Sequence, residues 1–365
     1  MCHQLFGDSE SIFGYKDLRV DIYCTAARMT PYVSIKYSDK VNPERFDGVP
    51  PDNIMKILSS KLQPGYLTNL DDFTARIPKD VGFRPFGELM HSYKVKKAGE
   101  ERCFQVYRTD VETPGFRLYH ERLQPFLLFY VDAASYICVD DNRWLFYLIF
   151  EKYKSDGDTM YAFAGYMTVY NYYAYPEKVR PRISQVLVMP PFQRQGHGAK
   201  LLQTFYNDCY SRSNILDITV EDPSEQFQRL RDFVDARNCL KLSCFAPKKL
   251  RRGFSDEMLK EAREKLRLNK KQTRRIYEIL RLKATNCNEL KEYTAYRIDI
   301  KRRLNLPFQK NGREFEKLRR TLKPNELQAT MTAVSGEQRL EILEEQYQEC
   351  VREYMHVLDR IAEAT

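Results

Sequence analysis

Apolar positions along this chain recur with two periods, and the switches between them lay out the elements. Leu18-Arg19-Val20-Asp21-Ile22-Tyr23 and Tyr32-Val33-Ser34-Ile35-Lys36-Tyr37 alternate apolar and polar residues as half-buried strands do. Asp52 is placed to cap a short helix reaching Leu62. Leu89 to Lys96 and Cys103 to Arg108 read as a hairpin across the polar turn Lys97-Ala98-Gly99-Glu100. From Gly115 to Tyr136 the period becomes helical, with Pro125 breaking or kinking it. The half beyond Pro125, Phe126-Leu127-Leu128-Phe129-Tyr130-Val131, is apolar almost all round and predicts burial. Asp132 follows in that setting. A bare buried carboxylate is costly, so it is expected to face a cavity or to hold a hydrogen-bonding partner.

The middle of the chain is more sharply patterned. Trp144 to Lys152 and Tyr161 to Tyr173 are strand patterns joined across Lys154-Ser155-Asp156-Gly157. The second ends in the aromatic cluster Tyr170-Asn171-Tyr172-Tyr173. A third apolar run, Ile183 to Met189, is closed by Pro190-Pro191 and followed by Gln193-Arg194-Gln195-Gly196-His197-Gly198. Leu202, Phe205, Tyr206 and Cys209 then fall at helical spacing, and a last run, Ile215 to Val220, ends in Glu221-Asp222-Pro223-Ser224. The order is β-β-β-α-β.

Beyond Glu221 the pattern stays helical to the end. Asp222 reads as a helix cap, with Pro223 at the first helical position and Glu225 three residues after the cap. Ser255 and Asn269 are caps of two further helices. Leu340, Leu343, Tyr347, Val351, Tyr354, Leu358 and Ile361 follow three- and four-residue steps, one amphipathic helix.

Composition narrows the class. The chain has 365 residues, 43% hydrophobic and 13% aromatic, enough for two or three domains with cores of their own. No apolar run reaches the roughly 18 residues of a membrane span, and Met1-Cys2-His3-Gln4-Leu5 lacks the basic-then-apolar order of a signal peptide. Nine cysteines without a C-x-x-C predict reduced, mostly buried thiols of an intracellular protein. Five dispersed histidines offer no local zinc motif, so no metal is expected.

Charge is uneven. Lys248 to Asn325 holds 25 Lys+Arg against 10 Asp+Glu, leaving 34 basic and 40 acidic residues elsewhere. An acidic body suits a cationic partner, and the basic segment suits phosphate or is a solvated helical face.

Gln193-Arg194-Gln195-Gly196-His197-Gly198 has the form Q-x-x-G-x-G. Its glycines let backbone N–H groups converge on a pyrophosphate at a helix start. It differs from G-x-G-x-x-G and lacks the lysine of a P-loop, which argues against a dinucleotide or a nucleoside triphosphate. In the last strand, alternation sets Asp217, Thr219 and Glu221 on one face and Ile218 and Val220 on the other. Glu221 thus ends a strand beside the anion loop and is the better general base. Capping a helix would favour the ionised form of Asp222 and make it the poorer proton acceptor.

At this point the residues resemble a known family. The order β–(Q-x-x-G-x-G)–α–β looks like the acyl-coenzyme A site of the GNAT superfamily of N-acetyltransferases. Several longer blocks resemble the type B histone acetyltransferase catalytic subunits: His3 to Asp8, Tyr119 to Gln124, Gly165 to Tyr173, Leu216 to Thr219 with Glu221-Asp222-Pro223, Tyr277 to Leu282, and Asp299 to Arg303.

The resemblance implies an α+β fold with a mixed, mostly antiparallel sheet. It implies a shortened amino-terminal α+β domain over 1–112, an acetyltransferase core over 113–245 and an all-helical domain over 246–365. The family carries about fifty further residues before the block at His3, so packing or partner surface from that segment is expected to be missing.

The resemblance also implies transfer of acetyl from acetyl-CoA to lysines of newly made histones, chiefly the histone H4 tail, with H3 present. Backbone groups of Val186, Leu187 and Val188 would align the acetyl and pantetheine arm. Gln193, Arg194, Gln195, Gly196, His197, Gly198 and Ala199 would hold the pyrophosphate, with a further contact at Ser224. Glu221 matches the general base, with Asp222 and Asp132 as helpers. Ser9 and Asp132 depart from the family pattern, and the shorter Asp132 weakens any relay through it. Asp8, Ser9, Glu10, Trp144, Tyr170, Asn171 and Tyr172 would meet the tail. A WD-repeat histone chaperone and a place in both nucleus and cytoplasm are implied as well.

Chemistry fits that assignment. A lysine of pKa near 10.4 must lose a proton before attacking a thioester, at about 4–5 kcal/mol at neutral pH, and a carboxylate in place can take it. A backbone N–H near Val188 is the natural donor to the oxyanion formed. Three alternatives stand beside this reading. They are a GNAT transferase for another amine, a catalytically weak histone-binding subunit, and nucleic-acid binding through the basic segment, which has charge but no base-reading motif.

Overall fold

The computed structural model describes residues 3–62, 65–97, 99–309 and 336–364. They form two compact units, Met1–Asp208 with Thr219–Glu221, and Cys209–Ile218 with Asp222–Thr365.

The first unit begins with α1 (His3–Phe6), β1 (Tyr15–Lys16), β2 (Arg19–Cys24), β3 (Pro31–Lys36) and β4 (Asp39–Lys40). β2 and β3 pair antiparallel, and their apolar faces pack with Ile54, Leu58 and Leu62. α2 (Ile54–Ser59) is capped by Asn53, whose side chain accepts the N–H of Lys56 at 3.0 Å. Asp52, the cap expected from sequence, instead accepts the N–H of Phe13 at 2.6 Å. α3 (Leu70–Thr74) follows.

The main sheet is built from β5 (Glu88–Lys97), β6 (Glu100–Asp110), β7 (Trp144–Ser155), β8 (Asp158–Ala174), β9 (Lys178–Val188) and β10 (Thr219–Val220), in the order β10-β9-β8-β7-β6-β5. All its pairings are antiparallel except β9 with β10. The β7–β8 turn places Asp156 and Gly157 at φ 51° and 89°, the pair of left-handed residues a two-residue hairpin needs.

β6 pairs with β7 from Cys103 to Asp110, so the boundary expected at 112/113 cuts through the sheet. Pairing across that point, invisible to local composition, joins β5 and β6 to the core.

Between β6 and β7 lie α4 (Phe116–Leu123) and α5 (Pro125–Tyr130), divided at Pro125 as expected. Phe116, Tyr119, Leu123 and Leu127 pack with Phe146, Leu148, Phe150 and Tyr166 of the sheet. The burial expected of the whole of 126–131 holds only in part: Leu127 and Leu128 are buried, while Tyr130 is exposed. α6 (His197–Ser211) lies on the other face, where Tyr147 meets Phe205 and donates to Asp208 at 2.5 Å.

The last strand is shorter than the apolar run Ile215–Val220. In the second unit, Ile218 gives its N–H to Arg267 at 2.8 Å and bridges Leu268, and Asp217 is buried beside Arg263 at 3.5 Å. Those bonds take the run out of the main sheet before Thr219.

The second unit is helical: α7 (Glu225–Cys239), α8 (Pro247–Arg252), α9 (Asp256–Leu266), α10 (Lys270–Ala284), α11 (Leu290–Leu304) and α12 (Gly336–Glu363). Ser255 and Asn269 cap α9 and α10 as expected. α7 is capped by Ser224, which accepts the N–H of Phe227 at 3.3 Å, so the cap assigned to Asp222 lies two residues too early. α10 is the central helix, with Ile276, Tyr277, Glu278 and Ile279 fully buried. Leu343, Tyr347, Tyr354, Val357 and Ile361 form the buried stripe of α12, and Leu340 stands outside it.

The basic segment Lys248–Asn325 is described as far as residue 309. Its inner cations are paired, Arg274 and Arg303 with Glu278, and Arg281 with Asp299. Among the described residues no helix is long and apolar enough to cross a membrane and no cysteine forms a disulfide, with Cys138 and Cys287 exposed.

Candidate active site

Where β9 meets β10, the parallel ladder stops. Thr219 lies opposite Arg182 and Val220 opposite Ile183, and the N–H of Glu221 donates to the Ile183 carbonyl at 2.9 Å. Facing β8, the register of β9 slips at the same place, from Val169↔Ile183 to Thr168↔Gln185, leaving Ser184 as the extra residue of a bulge. Ser184 turns its hydroxyl to Glu221 and donates to its carboxylate at 2.8 Å. Gln185 holds the bulge in place. Its N–H donates to the Thr168 hydroxyl at 3.1 Å, and its amide to the Ser135 carbonyl at 2.9 Å.

Beyond the bulge, β9 runs on to Val188 with β8 on one side. The N–H of Met189 donates to the Ala164 carbonyl at 2.9 Å. Antiparallel alternation then makes Gly165 and Val188 a non-hydrogen-bonded pair, with the N–H and carbonyl of Val188 turned to the other edge. The Val188 carbonyl indeed accepts the side-chain amide of Gln193, at 2.9 Å. Gly165 allows the two strands this approach, since a Cβ there would stand 2.5 Å from the Leu187 carbonyl.

The loop to α6 is held tight by its own residues. Gln195 donates to the Pro191 carbonyl at 2.9 Å, and Arg194 and Gly196 take φ of 61° and 85°. A Cβ on Gly196 would meet nothing within 4 Å, so open space lies beside the helix start. The opening N–H groups of a 15-residue helix have no intrahelical acceptors and are of the kind that can receive an anion. The His197 ring does not enter that space. It is buried against Phe104, centroids 4.2 Å apart, with Nδ1 2.8 Å from the Tyr93 hydroxyl. Burial, and after it Lys97, push its pKa down to about 4.

Cross-strand partners share a face of a sheet, and here one row crosses four strands: Trp144, Tyr170, Arg182 and Thr219. Trp144 meets Tyr170 edge-on at 4.9 Å, and Tyr170 meets Tyr172 at 4.6 Å. Arg143 and Arg182 lie over the rings of Tyr170 and Tyr172 at 4.9 and 4.8 Å. Tyr170 also donates to Asp141 at 2.8 Å, and the Arg143 hydrogen bonds hold the Asp141 carboxyl well below the usual range. Glu221, two residues after Thr219 and bonded to Ser184, stands at the end of this row. Asn171 lies between the tyrosines and takes the Arg143 carbonyl through its N–H.

Of the expected helpers, Asp132 is not buried. Its side chain is 66% exposed and pairs with His3 Nε2 at 3.0 Å, while Glu10 lies 3.4 Å from Nδ1 of the same ring. Gln4 ties that end of the chain down, donating to the carbonyls of Leu128 and Val131. Asp8 and Ser9 are exposed beside Glu10. Asp222 and Ser224 belong to the second unit, Asp222 with a φ of 28°.

Four residues that shape the site went unread in the sequence: Ser184, Gln185, Asp141 and Tyr93. Ser184-Gln185 did leave a mark, as two adjacent polar residues breaking an apolar strand, the signature of a bulge.

Comparison with known proteins bears on the chain as a whole. The profile described as the histone acetyl transferase HAT1 N-terminus matches residues 1–132, and that of the histone acetyltransferase type B catalytic subunit, C-terminal, matches 231–282. The human histone acetyltransferase type B catalytic subunit is 46% identical over 99% of this chain and 86% of its own length. That of Mycosarcoma maydis is 30% identical over 92% and 80%. Among solved structures, an aminoglycoside acetyltransferase from a soil metagenomic sample is 18% identical with a TM-score of 0.26, covering 35% of this chain and 83% of its own. A likeness that low does not define a shared fold.

The class is therefore that of a histone acetyltransferase. Within it, the chain belongs to the family of type B histone acetyltransferase catalytic subunits.

Proposed function

We propose that this protein transfers acetyl from acetyl-CoA to lysines of newly made, non-nucleosomal histones, chiefly in the H4 amino-terminal tail, by direct attack in a ternary complex with Glu221 as general base. The observation that carries the reading is Glu221 itself. It is held by Ser184 where β9 and β10 part, at the end of the aromatic row.

The residues present fit acetyl-CoA. The start of α6 offers unpaired N–H groups beside the open space at Gly196, and the outward edge of β9 at Val186 and Val188 can pair with an extended pantetheine arm. The bound donor supplies the thioester carbonyl. Val188 N–H faces the edge where that oxygen gains charge. The aromatic row lies on the sheet face opposite α6, so donor and lysine approach from different faces and meet at the gap. That arrangement supports direct transfer without an acyl-enzyme.

Asp8, Glu10 and Asp132 supply negative charge suited to a cationic tail, with Trp144, Tyr170, Asn171 and Tyr172 as its wall. In this reading Asp132 serves tail binding more than proton transfer, and Asp222 is an auxiliary carboxylate. A WD-repeat histone chaperone as partner, and activity in both cytoplasm and nucleus, complete the proposal.

Glu221→Gln keeps the shape and removes the base; kcat on an H4 tail peptide is expected to fall about 10²–10⁴-fold. Unchanged transfer would remove Glu221 from that role. Radiolabelled transfer to free histones should exceed transfer to nucleosomes, and the reverse order excludes the type B reading.

A further inference from the structure

The anion loop is closed by short-range bonds, Gln193 to Val188 and Gln195 to Pro191. The Tyr93–His197 bond reaches instead to a residue 104 positions away, on β5. His197 lies between the two glycines of the motif, next to the open space beside Gly196. Its ring is instead sunk between Phe104 and Tyr93, and Phe192, at the other end of the loop, packs edge-on against the same Phe104 at 6.0 Å.

Nε2 of that ring is buried without a hydrogen-bond partner among the described residues, a cost that leucine or phenylalanine in the same slot would avoid. What the imidazole offers over them is Nδ1, and Nδ1 meets the Tyr93 hydroxyl. Around the pair stand His91, stacked on Tyr93, Lys200 at 5.8 Å from the Tyr93 ring, and Lys97. Burial keeps the tyrosine protonated and the histidine neutral, so the bond persists through the neutral range.

We propose that Tyr93 and the His197 side chain are a positioning pair that fixes the first turn of α6, and with it the backbone N–H groups offered to the pyrophosphate of the acetyl donor. The proposal rests on the reading of that turn as the acetyl-CoA site. Neither side chain touches the donor; the pair acts by holding the turn in place.

The test compares acetyl-CoA with S-acetylpantetheine, which carries the same thioester and no pyrophosphate. Tyr93→Phe is expected to raise KM for acetyl-CoA about tenfold, with kcat and the peptide KM changed less than about twofold. The same variant should use S-acetylpantetheine as the parent does. His197→Leu should match it. His197→Asn, whose Oδ1 stands where Nδ1 stood, should restore the parental KM.

If the parent uses both donors with equal KM, the pyrophosphate is not held and the reading of the site falls. If the parent distinguishes them while Tyr93→Phe weakens both donors alike, or neither, the positioning pair is overturned and the site stands. Should Tyr93→Phe fail to fold, the His197→Asn and His197→Leu comparison decides. Variants that all fail to fold make the pair a matter of stability alone and overturn the proposal as well.

Discussion

Ser184 takes up one oxygen of Glu221 and, in the proposed reaction, leaves the other for a lysine proton. Removing that hydroxyl frees the carboxylate to rotate away from the gap. Ser184→Ala is expected to lower kcat/KM on an H4 peptide about ten- to hundredfold, the worth of one hydrogen bond to a charged group. Steady-state kinetics with both substrates varied will show the loss in kcat, and an unchanged kcat leaves the bond without a role. The place of Glu221 at the end of the last strand was legible because its signal is local: a strand end, a glycine loop and a motif within forty residues of sequence. Ser184 and Tyr93 were not, because each matters through a partner far along the chain, and pairing register is set by tertiary packing that periodicity does not encode. Asp132 holds the kind of partner expected of it, the His3 ring, but does so at the surface. Its neighbours are apolar, yet α5 ends at Tyr130, and the chain turns outward before reaching it.

At the scale of the element, helix caps separate two neighbouring residues. Ser224→Ala removes the acceptor for Phe227 N–H and should cost about 1 kcal/mol. Asp222→Gly should cost nothing, since Asp222 caps no helix and its positive φ suits glycine. Urea unfolding of the two variants checks the order. Sequence gave the wrong member of the pair because Asp-Pro is as good a helix start as Ser-Glu, and only the backbone turn at Asp222 decides between them. In α10, Glu278 is fully buried among Arg274, Arg303 and the Tyr354 hydroxyl. Glu278→Ala strands those cations and should cost about 3–5 kcal/mol, read as a large fall in the unfolding midpoint. Glu278→Gln, which keeps the volume, should cost less. The long elements were legible throughout, and β10 was not, since four of the six residues in its run are held by the second unit.

For the whole molecule, acidity is the revealing variable. His120 is buried with both ring nitrogens unpartnered among the described residues, and burial pushes its pKa down to about 3, as it pushes His197 to about 4. Both rings are neutral in the fold and take protons on unfolding once the pH falls below their ordinary value of 6.5. Their contribution is therefore complete above that value and is lost steadily below it, down to the folded values. Between about pH 7 and pH 5 the loss should be on the order of 2 kcal/mol for each ring. Chemical unfolding at the two pH values measures it, and equal stability at both contradicts it.

The chain leaves the first unit after Asp208, returns for Thr219–Glu221 and leaves again. During synthesis, the loop before α6 is therefore complete before Glu221 has been made. A ribosome that stops anywhere between Asp208 and Glu221 releases a chain that carries Ser184 and the loop before α6 without the carboxylate that Ser184 bonds.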